Sequence, residues 1–256
     1  MTSSTGRLTA LLYGLLCYLV FQVTLVYAIG FVGNFWSVFG LHATWLHGMD
    51  HGRSASLGEA LVVDAALLGL FAVQHSVMAR GWFKRSWTRI IPSAVERSTF
   101  VLASSICLGV LFWQWRPIGS VVWSVGGPLA TLLVVVSLAG WLIVALSTFM
   151  IDHFALFGLR QVTDAYRGRT AAEGHFVTPA FYRLVRHPLY VGFIVAFWAT
   201  PVMTVGHLVF AAATTGYILV AIQLEERDLI AQFGDTYRDY RRRVGMLVPL
   251  GRRNGS

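Results

Sequence analysis

Six apolar runs, over roughly 9–31, 58–79, 98–115, 128–151, 188–203 and 206–226, constrain this chain more than any other feature. Several exceed eighteen residues, about the length at which a helix rising 1.5 Å per residue crosses a bilayer core. The polar stretches between them are too short for a separate soluble domain. The expected fold is therefore all-α: a polytopic membrane bundle of about six spans, in a single domain over 1–256. The fifth run is short and stops near Pro201, so the last two runs are read as one compact hairpin. The first run is too long for a signal-peptide core and lacks a small-residue cleavage site, so it counts as a span. Composition agrees, with 56% hydrophobic and 12% charged residues. An ordinary soluble domain carries about 25% charge.

A net charge of +8 would suit a nucleic-acid binder, but the basic residues sit in short loops between apolar runs. There they report topology. Eighteen of the twenty Lys and Arg fall on one side of the six-span arrangement; Arg53 and Arg116 fall on the other. The positive-inside rule places both termini and the charged face in the cytoplasm, which for a bacterial chain means the inner membrane. Phe112, Trp113, Trp115 and Trp123 are expected at the outer aromatic belt. Cys17 and Cys107 lie within apolar runs and give no disulfide framework.

Polar residues inside or beside the spans are the candidates for chemistry. His42, His47 and His51 share an outer loop, but only Asp50 accompanies them, and no metal set is complete. Asp64 lies deep in the second span and is read as a structural hydrogen-bonding group. Gln74, His75 and Ser76 stand near the inner end of the same span; three adjacent residues cannot all face one cavity. The fourth span ends in Asp152-His153-Phe154, with Phe157 just beyond. The polar stretch 162–182 reads as a loop or lid, where Tyr166, His175 and Tyr182 are candidates to contact an aromatic ligand.

The last quarter gathers the most. Arg183, Arg186, His187 and Pro188 abut the fifth apolar run, and the sixth ends in Glu225-Glu226-Arg227-Asp228. A hairpin returns both charged ends to one membrane boundary. The result is a polar bowl under an apolar bundle, suited to a polar cofactor meeting an apolar substrate. Beyond it, Tyr237 and Tyr240 are three apart and share a face of an amphipathic C-terminal helix.

Arg186-His187-Pro188-Leu189-Tyr190-Val191-Gly192, then Glu225-Glu226-Arg227-Asp228, then Phe233-Gly234 with Tyr237 and Tyr240, resembles the C-terminal signature of the isoprenylcysteine carboxyl methyltransferase and phospholipid methyltransferase superfamily. Four further segments are similar to the membrane-bound methanethiol S-methyltransferases: Val26–Phe31, Gln74–Arg80, Phe112–Pro117 and Phe157–Gln161. The resemblance implies an enzyme that uses S-adenosylmethionine, without a metal, to methylate a small thiol. The cofactor-binding portion would lie at about 152–243. Arg183, Arg186, His187, Tyr190, Gly192, Glu225, Glu226 and Tyr237 would bind the cofactor. His187, Asp152, His153 and Tyr190 are the catalytic candidates, and His75, Phe154 and Phe157 would contact the acceptor. Other acceptors in the superfamily are a prenylcysteine-like carboxylate and a phospholipid amine. A reading outside it is a haem- or quinone-binding protein using His75, His153 and His187. The expected partners are the thiol and membrane lipids, with no nucleic acid and no obligate protein partner.

Overall fold

Residues 3–38, 46–169 and 177–249 are described by the computed structural model. Helices dominate them. Five are long and apolar enough to cross a membrane: α1 (Ser4–Gly33), α3 (Leu57–Ala79), α5 (Ser93–Gln114), α6 (Gly127–Ile151) and α10 (Val205–Phe233). Leucines and valines such as Leu12, Leu16, Leu19 and Val23 line the outside of α1. A helix that is apolar all round and still exposed belongs in lipid, and the protein is a multi-pass membrane protein. The helix starts follow capping rules. Ser3 accepts from the Gly6 amide and Ser56 from the Glu59 amide, each supplying a partner for an otherwise orphaned N–H. α6 and α9 instead carry proline in the first turn, where no amide is needed.

The described residues divide into two units. The first takes in residues up to 123, 153–169 and 203–210. Here α5 packs against α1 and α3, with the short α2 (Phe35–Val38) and α4 (Gly81–Trp87) as connectors. α7 (His153–Leu156) and α8 (Leu159–Tyr166) lie along α1. Gly14 of α1 makes this possible: a Cβ there would come within 2.6 Å of Val162, which is fully buried. Asp64, also fully buried, accepts from the Arg116 amide at 2.9 Å, the structural bond expected of it. The belt assignment of Phe112 and Trp115 needs correcting. Both are buried, against Tyr27 and Phe31, while Trp113 is exposed as expected. The two strands β1 (Val121–Ser124) and β2 (Val202–Thr204) pair with each other.

The second unit takes in 124–152, 177–202 and 211–249. Its main contact is α6 against α9 (Pro188–Trp198). Gly140 and Gly192 face each other across it, Ser137 donates to the Ala196 carbonyl at 2.9 Å, and Trp141 meets Phe193 and Phe197 edge-on. The expected fifth span is only partly helical. α9 has 11 residues, about 16 Å, roughly half the bilayer core. The apolar run then continues as irregular chain into β2, because Ala199 and Thr200 leave helical geometry ahead of Pro201. The hairpin itself is present. α9 runs antiparallel to α10, tied by Trp198 Nε1 donating to Thr215 Oγ1 at 3.0 Å and by Tyr190 to Glu225. α11 (Asp235–Arg243) follows, with Tyr237 and Tyr240 both buried on its shared face.

Candidate active site

Glu226 is the hub of the second unit's charged end. It stands on α10 and is buried to 2% exposure. Its Oε1 accepts from Arg186 Nε at 2.7 Å and from His187 Nε2 at 3.1 Å, and Oε2 faces Arg241 Nε at 3.2 Å. One carboxylate thus collects two arginines and an imidazole. Charge-assisted bonds of this kind are the strong ones, and those from Arg186 and His187 are sheltered from water, while Arg241 is half exposed.

Local structure explains how the partners arrive. The chain at 185–187 is held by a short parallel pairing with 245–246: Arg186 N donates to the Gly245 carbonyl at 2.8 Å and His187 N to Met246 at 3.2 Å. Pro188 then opens α9, so His187 is fixed between a strand-like contact and a helix start. Arg186 Nη1 donates onward to the carbonyls of Val244 at 2.6 Å and Arg241 at 3.0 Å. Its guanidinium is engaged with Glu226 and the C-terminal segment, where the sequence suggested a ligand grip. Arg183 is exposed, with Nε on the Thr178 carbonyl.

Glu225 is the open counterpart of Glu226. Its side chain is 44% exposed, Oε2 accepts from the Tyr190 hydroxyl at 3.0 Å, and His187 Nδ1 lies 3.9 Å away. Because Nε2 faces the Glu226 carboxylate it acts as the donor, leaving Nδ1 as the atom able to take or release a proton. Three phenols close this end. Burial raises Tyr182 and Tyr237 above the usual phenol range, helped by Glu225 and Glu226 respectively. Burial also pushes Tyr240 up to about 12, against the pull of Arg186 and with the help of Glu226, so it stays a donor and bonds the Tyr182 carbonyl. Gly192, one of the residues the resemblance implies for the cofactor, lies against the α6 backbone: a Cβ would lie 2.7 Å from the Gly140 carbonyl oxygen.

The first unit holds the other candidates except Asp152, the last residue of the second unit's 124–152 stretch. His75 stacks on Phe71 and packs against Phe100, with Nδ1 3.2 Å from Ser104 Oγ. That hydroxyl donates its proton to the Phe100 carbonyl, so His75 Nδ1 is the donor and Nε2 the acceptor. Phe157 packs on the same Phe100 cluster, stacks on Phe21 at 4.0 Å and meets His153 edge-on. His153 is buried and bonds Tyr18 at 2.8 Å. Sequence reasoning missed Tyr18, 135 residues away on α1; its sole signal was a polar tip in an apolar run. Asp152 closes α6 beside His153, and Phe154 is 52% exposed. His42 and His175 lie outside the described residues. Tyr18→Phe removes one hydrogen bond without emptying its space. The midpoint of thermal unfolding in detergent is expected to fall by the equivalent of about 0.5–1.5 kcal/mol; an unchanged midpoint would mean the bond adds no stability.

Residues 110–244 match the family described as Protein of unknown function (DUF1295). The chain is 56% identical over 244 residues to methanethiol S-methyltransferase 2 of Bradyrhizobium diazoefficiens, covering 95% of this chain and 91% of that protein. It is 53% identical to the methanethiol S-methyltransferase of Mycobacterium tuberculosis over 97% of this chain and 99% of that one. The chain belongs to the methanethiol S-methyltransferase family. A more distant likeness is to a Nurim homolog of Drosophila pseudoobscura pseudoobscura, 31% identical over 74% of this chain and 78% of that protein. No solved structure matches the chain.

Proposed function

We propose that this protein transfers a methyl group from S-adenosylmethionine to methanethiol, giving dimethyl sulfide. The observation that carries the reading is identity above one half, over nearly the whole length, to proteins named for that reaction. When bound, S-adenosylmethionine would supply an activated methyl group on a sulfonium, taken in line by a thiolate as the bond to the sulfonium breaks and S-adenosylhomocysteine leaves.

The charged end of the second unit fits such a cofactor by its donor and acceptor set. Ribose hydroxyls and an ammonium need an acceptor still open to solvent, and Glu225 is one. A carboxylate needs a cation, and Arg183 is exposed. Arg186 and Glu226 instead hold the frame on which His187 and Tyr190 stand. Tyr237 backs that frame from α11. Alignment of donor and acceptor is the main lever in a displacement of this type, worth up to about 7–11 kcal/mol.

The thiol must lose its proton, since the thiolate is the nucleophile. His187 is assigned that role through Nδ1, with Glu226 fixing the tautomer; Tyr190, whose hydroxyl proton goes to Glu225, becomes a hydrogen-bond partner of sulfur when it turns from that carboxylate. His153 and Asp152 are the next candidates for proton transfer. His75 and Phe157 are assigned to the acceptor; Phe154, turned to the surface, is the weaker member of that set. The eighteen-to-two distribution of basic residues supports cytoplasmic termini and a cytoplasmic cofactor end in the bacterial inner membrane.

The test is formation of thioethers by purified protein with S-adenosylmethionine, followed by gas chromatography. Methanethiol should react fastest, with rates falling through ethanethiol and propanethiol. Steric overlap in a small site outweighs the roughly 1 kcal/mol that each added methylene returns. Farnesylated cysteine should not react. Equal turnover of farnesylated cysteine and methanethiol would replace the small-thiol reading with a lipid-modifying one.

A further inference from the structure

A groove of about 670 Å³ opens on the first unit where α1, α7 and α8 meet. Its wall is apolar on one side, with Leu15, Phe154 and Leu159, and basic on the other, with Arg160, Arg167 and Arg169. Leu15 is 42% and Phe154 52% exposed, and all three arginines are exposed. Asp164 is the one acid in the lining. Arg7 adds a fourth guanidinium nearby, since a Cβ on Gly168 would lie 3.4 Å from its Nη1.

The position of this groove along α1 gives it meaning. α1 has 30 residues, a length of about 45 Å against a bilayer core of about 30 Å, so roughly a third of it extends past the hydrocarbon. From Phe157 onward the α7–α8 segment runs antiparallel beside it, with Phe157 at Phe21, Val162 at Gly14 and Gly168 near Arg7, while α7 before it doubles back, with His153 at Tyr18. Arg167 and Arg169 therefore lie toward the N-terminal end of α1, with Arg160 beside Leu159 at the edge of the apolar wall, and the exposed leucines lead away from the first two along the same helix. Two arginines beyond an apolar wall, with a third at its edge, follow the order of groups in a lipid: acyl chain, then phosphate.

We propose that this groove seats the headgroup of an anionic phospholipid of the phosphatidylglycerol class. The phosphate would lie among Arg160, Arg167 and Arg169, and the first acyl carbons against Leu15, Phe154 and Leu159. A zwitterionic lipid carries a cation that this cluster repels. Free phosphate satisfies the arginines and leaves the apolar wall empty. The proposal rests on the membrane placement of the chain and is independent of the methyl-transfer reading, which the thioether assay tests by itself.

Native mass spectrometry of the purified full-length protein tests it. The protein is mixed with equal amounts of phosphatidylglycerol and phosphatidylcholine of identical chains. Wild type should retain phosphatidylglycerol selectively, and millimolar inorganic phosphate should not displace it. Each arginine near an anionic surface contributes about a fivefold preference, so the triple variant R160Q/R167Q/R169Q should lose on the order of a hundredfold. The double variant R238Q/R242Q, at exposed arginines paired with Asp235 and Asp239 on α11, should keep the preference. Three results would overturn the proposal: no selectivity in wild type, displacement by phosphate, or full selectivity in the folded triple variant. The wild-type arms decide the matter even if the triple variant does not fold.

Discussion

Glu226→Ala is expected to destabilise the protein by about 3–5 kcal/mol, the usual cost of leaving a buried charge without its partner. The variant strands Arg186, 8% exposed at its side chain, and His187, 4% exposed, and it releases Arg241 of α11. S-adenosylhomocysteine binding should disappear with the ordered charged end. The neighbouring Glu225→Ala should behave differently. That carboxylate is half in water, with Tyr190 bonded to it and His187 Nδ1 3.9 Å away. Stability should hardly change, while cofactor affinity falls about ten- to a hundredfold, the worth of a charged hydrogen bond at about 1.5–3 kcal/mol. Thermal unfolding in detergent and calorimetric titration separate the two outcomes. Equal stabilities in the two variants would remove Glu226 as the hub, and undiminished binding in Glu225→Ala would remove Glu225 from the cofactor site.

The difference between these adjacent glutamates was not legible in the sequence, which offers two acids at the end of an apolar run. Which one turns inward depends on helix phase and on the position of Arg241 and the 244–246 segment. The convergence itself was legible. An apolar hairpin with charges at both ends must bring Arg186-His187 to Glu225-Glu226, and the antiparallel pairing of α9 with α10 does so. The shared face of Tyr237 and Tyr240 was legible for the same reason, since helical periodicity is local. Backbone partners were not. Nothing in the residue types says that the guanidinium of Arg186 engages the carbonyls of Val244 and Arg241. Composition also failed to separate a lipid-facing aromatic from a packed one, so Phe112 and Trp115 were expected outside and are inside. The length of α9 was overread because the apolar run outlasts the helix, and hydrophobicity does not record where backbone geometry changes.

Gly192→Leu should leave the protein in the membrane but reduce methyl transfer about a hundredfold or more. The contact between α6 and α9 is built from small residues, with Ser137 and Gly140 on one helix and Gly192 and Ala196 on the other. This is the small-residue pattern that lets membrane helices approach closely. A Cβ on Gly192 would meet the Gly140 carbonyl oxygen at 2.7 Å and the Val144 amide nitrogen at 2.9 Å. Backbone atoms cannot swing aside as a side-chain tip can, so the helices must separate. Overpacking of this kind costs about 1–3 kcal/mol. The larger consequence is positional. α9 begins at Pro188, directly after His187, and carries Tyr190 in its first turn. Displacing α9 carries both away from Glu226 and Glu225 on α10, and misplacement of about 1 Å can cost a hundredfold in rate. Gly140→Leu, on the other helix, should have the same effect without touching α9's own sequence. Gly216→Leu on α10, where nothing lies within 4 Å of the added Cβ, should keep wild-type turnover. Wild-type rates in both Gly140→Leu and Gly192→Leu, measured as dimethyl sulfide formed per folded protein, would show that the α6–α9 contact does not set the position of His187.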